Sequence, residues 1–93
     1  MYNGNREFYT KAELIEAVRQ DIIGELDAIN QYNDHIQRTE NPLARSVWQS
    51  IKDEERVHVG ELLALLNALD PSELKKLKAG QEEVEEIMRG LGM

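Results

Sequence analysis

Apolar side chains return at alternating steps of three and four from Ile15 to Ile36, and again from Trp48 to Leu69. That is the period of an α-helix with one buried face. The first run reads Ile15, Val18, Ile22, Glu25, Ile29, Tyr32, Ile36, and the second Trp48, Ile51, Glu55, His58, Leu62, Leu65, Leu69. No stretch alternates at a period of two, so no strand is expected. Thr10 and Glu13 have capping-box spacing and open a first helix that should run to about Thr39. Asn41 ahead of Pro42 starts a second, to about Ala68. Asp70, Pro71 and Glu73 repeat that punctuation ahead of a short helix over about 71–79, which Gly80 should close. A further helical stretch is expected over about 81–89, with a narrow stripe of Val84, Ile87 and Met88. Before Thr10 the chain has no period and reads as a loose arm, with Tyr2, Phe8 and Tyr9 available to pin it to a partner surface.

Two long helices joined by a short turn must lie antiparallel. At 93 residues the chain suits one domain, an all-α hairpin with a short C-terminal helix. Both seams contain side chains wrong for a core. Burying an unpaired charge costs several kcal/mol, roughly, so such groups are normally paired or bound to metal. Glu55 and His58, three apart, share one face of the second helix. At 1.5 Å per residue Glu25 and Glu55 both fall roughly 22 Å from the turn, with His58 less than a turn beyond. Three ligand-type side chains are therefore predicted to converge at one height.

Composition narrows the chemistry. The chain carries 11 basic and 18 acidic residues, a formal charge of −7, which disfavours nucleic acid and anionic membranes and favours cations. With no cysteine there is no disulfide framework, thiolate zinc site or thiol nucleophile. The N-terminal segment does not read as a signal peptide, and the longest apolar run, Leu62 to Leu66, is too short to span a bilayer. The expectation is a soluble, cytoplasmic protein.

Carboxylates with one imidazole suit iron, manganese or zinc, and the excess of oxygen leans towards iron or manganese. Ferritin-like di-iron bundles need a Glu from each of two helices and a Glu-x-x-His from each of the other two. One hairpin encodes half of that set. Two copies about a two-fold axis would complete a four-helix bundle and bury the open seams together. Tyr32 lies two turns from Glu25, near the height of Trp48, and reads as core packing or as a neighbour of the metals. Asp27 and Glu61 are the best choices for a secondary cation site or an approach path. His35 falls outside the seam and is expected to be exposed.

Glu25-Leu26-Asp27-Ala28-Ile29-x-x-Tyr32, followed by Asp53-Glu54-Glu55-x-x-His58, resembles the encapsulated ferritins, half-size members of the ferritin-like superfamily. The resemblance covers about Glu13 to Leu69. It implies that Glu25, Glu55 and His58 are ferroxidase ligands, contributed by two chains to one di-iron centre, with Tyr32 beside it. It also implies homodimers assembled into a ring and working inside an encapsulin shell, oxidising Fe(II) for storage. Gly24 stands where members often carry an acidic residue, Gln31 where relatives can have Trp, and the C-terminus from Ile87 only partly resembles a shell-docking peptide. Two other readings share the ligand set: a helical interaction module without turnover, and a di-iron or manganese oxidoreductase acting on peroxide.

Overall fold

The computed structural model describes residues 7–93 and contains α1 (Lys11–Gln37), α2 (Pro42–Leu69) and α3 (Pro71–Gly90). The expected roles of Tyr2 and the first residues of the arm lie outside the described residues. Phe8 and Tyr9 are both exposed.

Each helix begins where its cap is written. The Thr10 hydroxyl accepts from the Glu13 N–H at 3.2 Å, and the Glu13 carboxylate accepts from the Thr10 N–H at 2.9 Å, so the capping box is complete. Those hydrogen bonds, the backbone one first, hold the Glu13 carboxyl below its ordinary range. Asn41 accepts from the Ala44 N–H at 3.0 Å and Pro42 takes the first turn of α2. Between them the chain turns through Arg38 to Asn41, where the Thr39 hydroxyl accepts from the Asn41 N–H. Helix α1 therefore stops two residues short of Thr39.

At the second junction Asp70 alone separates two helices. Its N–H donates to the Leu66 carbonyl, ending α2, while its carboxylate accepts from the Ser72 N–H and hydroxyl, starting α3. Glu73 does not return to complete a capping box. It pairs with Arg19 of α1, and the hydrogen bond from Arg19 to its carboxylate raises the guanidinium's pKa. That pair fixes the first turn of α3 against the hairpin. From there α3 runs straight through Gly80, in one helix where two short ones were expected. Gly80 lacks positive φ, so its cost is only the modest one of glycine in a helix interior.

Helices α1 and α2 pack along their length, but the core between them is small. Only Val18, Ile36 and Leu66 are buried apolar residues among the described residues. Every position of the α1 seam faces inward to some degree. The α2 seam follows the expected steps to Glu55 and then slips by one. Val59, Leu62, Leu66 and Leu69 turn inward, while Leu65 is 44% exposed against 5% for Leu66. A straight α-helix advances 3.6 residues per turn, so a strict 3.5-residue count drifts around it. The molecule is one helix thick, with extents of 51 × 48 × 14 Å. Its radius of gyration is 18.3 Å, against about 12 Å for a compact domain of this length. A single layer leaves apolar faces that a stable domain buries against a second one.

The phase slip has a measurable consequence. Leu66→Ala should cost about 2–4 kcal/mol in urea unfolding of the metal-free protein, and Leu65→Ala less than about 1 kcal/mol. Equal costs would contradict the observed phase. The α2–α3 junction should respond to acid. Ser72 hydrogen bonds, the side-chain one first, lower the Asp70 pKa, with Arg19 and Lys11 adding to the effect against desolvation. An Asp with a depressed folded pKa stabilises fully above its unfolded value of about 3.9, and loses that contribution as pH falls through the folded value. Helicity should therefore drop below about pH 4 by circular dichroism, and Asp70→Asn, an uncharged cap, should remove that component.

Candidate metal centre

Glu25 comes from the middle of α1, and Glu55 and His58 from the middle of α2. Because the helices are antiparallel with a four-residue turn, equal distances from that turn bring the three side chains face to face. The His58 Nδ1 lies 3.5 Å from Glu25 Oε2 and 3.6 Å from Glu55 Oε2. One ligand atom from each residue falls within 4.8 Å of the others. Ligands 2.0–2.2 Å from one ion stand roughly 3–4.4 Å apart, so the spread matches a coordination shell to within a small side-chain adjustment.

The electrostatics point the same way. At 3.5–3.6 Å neither His58 contact is a hydrogen bond. The Glu25 Oε2 atom is buried and has no hydrogen-bond partner. A carboxylate oxygen shielded from water with no donor to answer it needs a cation. The residues present fit a divalent ion: two carboxylates and an imidazole, with no soft ligand, match iron, manganese or zinc. Among the described residues this is the only group of three or more ligand-type side chains so close together.

Burial within the group is uneven. The Glu25 and Glu55 side chains are 24% and 19% exposed, whereas that of His58 is 46% exposed. The slip in the α2 seam after Glu55 explains this, because it turns Val59 inward and leaves His58 on the rim. Beside the carboxylates is an open concavity lined by Gln20, Asp21, Gly24, Ala28 and Leu62. Gly24 lines this opening, and a Cβ there would meet nothing within 4 Å. Asp21, one turn before Glu25, sits at its edge; that spacing of four was the sequence signal for it.

The remaining candidates stand apart. Asp27 and Glu61 are exposed and join no ligand cluster. Tyr32 packs edge-on to His35, with ring centroids 6.2 Å apart, and His35 in turn lies 5.0 Å from Trp48. His35 is thus not the exposed residue the seam count suggested. Its Nδ1 is buried without a partner. The signal overlooked was the flank of the seam, where Ala17, Ala28 and His35 recur on one face and are all half-buried.

A solved structure of an encapsulated ferritin domain from Pyrococcus furiosus superimposes with a TM-score of 0.84 at 47% identity, covering 88% of this chain and 85% of that one. The chain belongs to the encapsulated ferritins. In sequence this encapsulated ferritin is similar to a ferritin-like–encapsulin shell fusion protein of P. furiosus, 47% identical over 79 residues and 85% of this chain. It is also similar to an encapsulin nanocompartment cargo protein of Myxococcus xanthus, 38% identical over 81 residues and 87% of this chain. The chain spans 23% of the fusion protein's length and 62% of the cargo protein's. No family model matches it.

If the carboxylates sit in the seam at the expense of packing, replacing one should show it. Glu55→Leu should raise the melting temperature of the metal-free encapsulated ferritin and abolish the rise that Fe(II), Mn(II) or Zn(II) gives the wild type. A lower melting temperature in the metal-free variant would mean that Glu55 already has a stabilising partner.

Proposed function

We propose that this encapsulated ferritin is a ferroxidase that binds Fe(II) as substrate at a di-iron centre shared by two chains and releases Fe(III) for storage. The reading is carried by the convergence of Glu25, Glu55 and His58 around a buried carboxylate oxygen that no donor satisfies. Ferritin-like di-iron sites use four carboxylates and two histidines from four helices. Each chain has half of that set, exposed on one side of a single-layer molecule. A two-fold axis passing beside the cluster supplies the other half and covers the open apolar face.

In this reading Glu25 and Glu55 bind and bridge the two cations and offset their charge. His58, on the rim, terminates the coordination with a neutral nitrogen, which requires it to be deprotonated. Two Fe(II) ions give one electron each to dioxygen, which takes up two protons and leaves as hydrogen peroxide. The chain's part is to fix the ligands, hold the two cations together and limit water. Tyr32 is not asked to bind metal. Two turns along α1, it packs with His35 and Trp48 beneath the site and keeps that side dry. Asp27 and Glu61 add negative potential on the exposed faces around the ligands, drawing cations inward.

The relatives suggest where the reaction occurs. One is by name a fusion to an encapsulin shell and the other an encapsulin cargo protein. We therefore place this protein with an encapsulin shell as its partner, inside a nanocompartment in the cytoplasm. No described helix is long and apolar enough to cross a membrane.

Aerobic addition of Fe(II) should produce a rapid rise in ferric absorbance. Glu25→Ala and His58→Ala should each slow it by at least about tenfold, as losses of metal ligands do. Either variant oxidising iron at the wild-type rate would refute the site. Peroxide consumption without ferric accumulation would point instead to a peroxidase-like activity.

A further inference from the structure

A neutral imidazole that binds a cation through one nitrogen must carry its proton on the other. His58 turns Nδ1 towards the cluster, 3.5 Å from Glu25 Oε2 and 3.6 Å from Glu55 Oε2. Its Nε2 therefore points away from both carboxylates, and the side chain is open to solvent at the rim. This leaves a conflict within the ring. Two carboxylates attract the proton to Nδ1, the very nitrogen that has to give its lone pair to a metal. Nothing in the cluster holds the proton on Nε2. Two acids of α2 lie within a turn of His58 on its outer flank, Glu54 four residues before it and Glu61 three after. Asp53 is already engaged by Gln49 and Arg56, whereas Glu54 and Glu61 are exposed and have no partner among the described residues. Helical side chains lean towards the N-terminus, over the residues three and four positions earlier. Glu54 thus leans away from His58, and Glu61 leans back over it.

We propose that Glu61 is a positioning residue of the metal centre, accepting a hydrogen bond from His58 Nε2–H and holding the imidazole in the tautomer whose Nδ1 lone pair faces the cations. The proposal rests on the reading of His58 as a metal ligand, and it gives Glu61 a directed role beyond its share of the negative field. A carboxylate behind a ligating histidine fixes the ring's orientation and raises its basicity. A charged acceptor also holds the proton more strongly than a neutral one. Residues three apart are neighbours on a helix surface, so the contact needs only rotation of one exposed side chain. Such a partner matters most for a rim histidine, because packing leaves 46% of the His58 side chain exposed. Glu25 and Glu55, more deeply set between the helices, are held by their surroundings instead.

Zn(II), which is diamagnetic, serves as the probe on the full chain. Its affinity is measured by calorimetry, and the imidazole nitrogens and protons are followed by NMR, for the wild type, Glu61→Gln, Glu61→Ala, Glu54→Ala and His58→Ala. His35 carries the only other imidazole, so His58→Ala assigns the signals. That variant also tests the site itself: unchanged Zn(II) affinity there would refute His58 as a ligand, whatever Glu61 does. With that loss established, Glu61→Ala should weaken Zn(II) binding about tenfold or more, at an unchanged metal-free melting temperature. Glu54→Ala removes the same charge from the other side of His58 and should weaken binding by less than about threefold. In the Zn(II)-bound wild type, His58 should bind through Nδ1 and show an Nε2–H protected from exchange. Glu61→Gln, whose amide oxygen still accepts, should keep that proton protected, and Glu61→Ala should lose it to exchange with water. Zn(II) on Nε2, a proton that stays protected in Glu61→Ala, undiminished affinity in that variant, or an equal loss in Glu54→Ala would each overturn the proposal while leaving the metal centre standing.

Discussion

The charge of Glu25 and Glu55, held between two helices with too few donors to answer it, is the constraint around which this small protein is arranged. A hairpin of this length has enough apolar positions for a continuous seam, yet the seam is interrupted at its middle from both sides. The Glu25 oxygen facing His58 is buried and unpartnered, and the His58 nitrogen is too distant to serve as a donor. An arrangement that costs stability in the free chain is expected where a bound ion recovers it. The cluster's position also matters. At mid-height, carboxylates from α1 and α2 are held by rigid helix on both sides, so the ligand spacing does not depend on a loop.

The same constraint explains why the chain is not self-sufficient. A single layer 14 Å thick has two broad faces, and the three buried apolar residues among the described residues make only a small core. The metal ligands lie on α1 and α2 and the exposed apolar stripe on α3, which joins the hairpin at the Asp70 junction and the Arg19–Glu73 pair. On the proposed reading, incomplete coordination and incomplete burial would both be met by the same means, another copy of the chain. Coupling the two would have a physical advantage under that proposal: a metal bound between chains would stabilise only the assembled state, so metal loading and assembly would reinforce one another.

Much of this was legible in the residues. The capping box at Thr10 and Glu13, the Asn41–Pro42 start and the height match of Glu25 with Glu55 are local or nearly local, and the helices obey them. The departures occur where tertiary geometry decides. Glu73 has the spacing to cap its own helix, but Arg19 lies within reach from a helix 54 residues away, and an opposite charge outcompetes a backbone N–H. Gly80 has the composition of a stop, but with no left-handed turn required the helix continues. His35 lies one position outside a strict seam count, and the flank still contacts the opposing helix through Trp48.

The slip at Glu55 shows how such a departure acquires functional weight. With a strict heptad, His58 would enter the seam beside Glu55, and both would point at α1. The untwisted helix puts Val59 there instead and moves the imidazole to the rim. A buried histidine could only complete a site inside one hairpin. A rim histidine stands at the boundary between its own chain and whatever covers that face, so its nitrogen can close the coordination of ions lying at the interface. Under the proposed two-chain centre, the 3.6-residue turn, with no change in sequence, would thereby turn an intramolecular cluster into the exposed half of an intermolecular one.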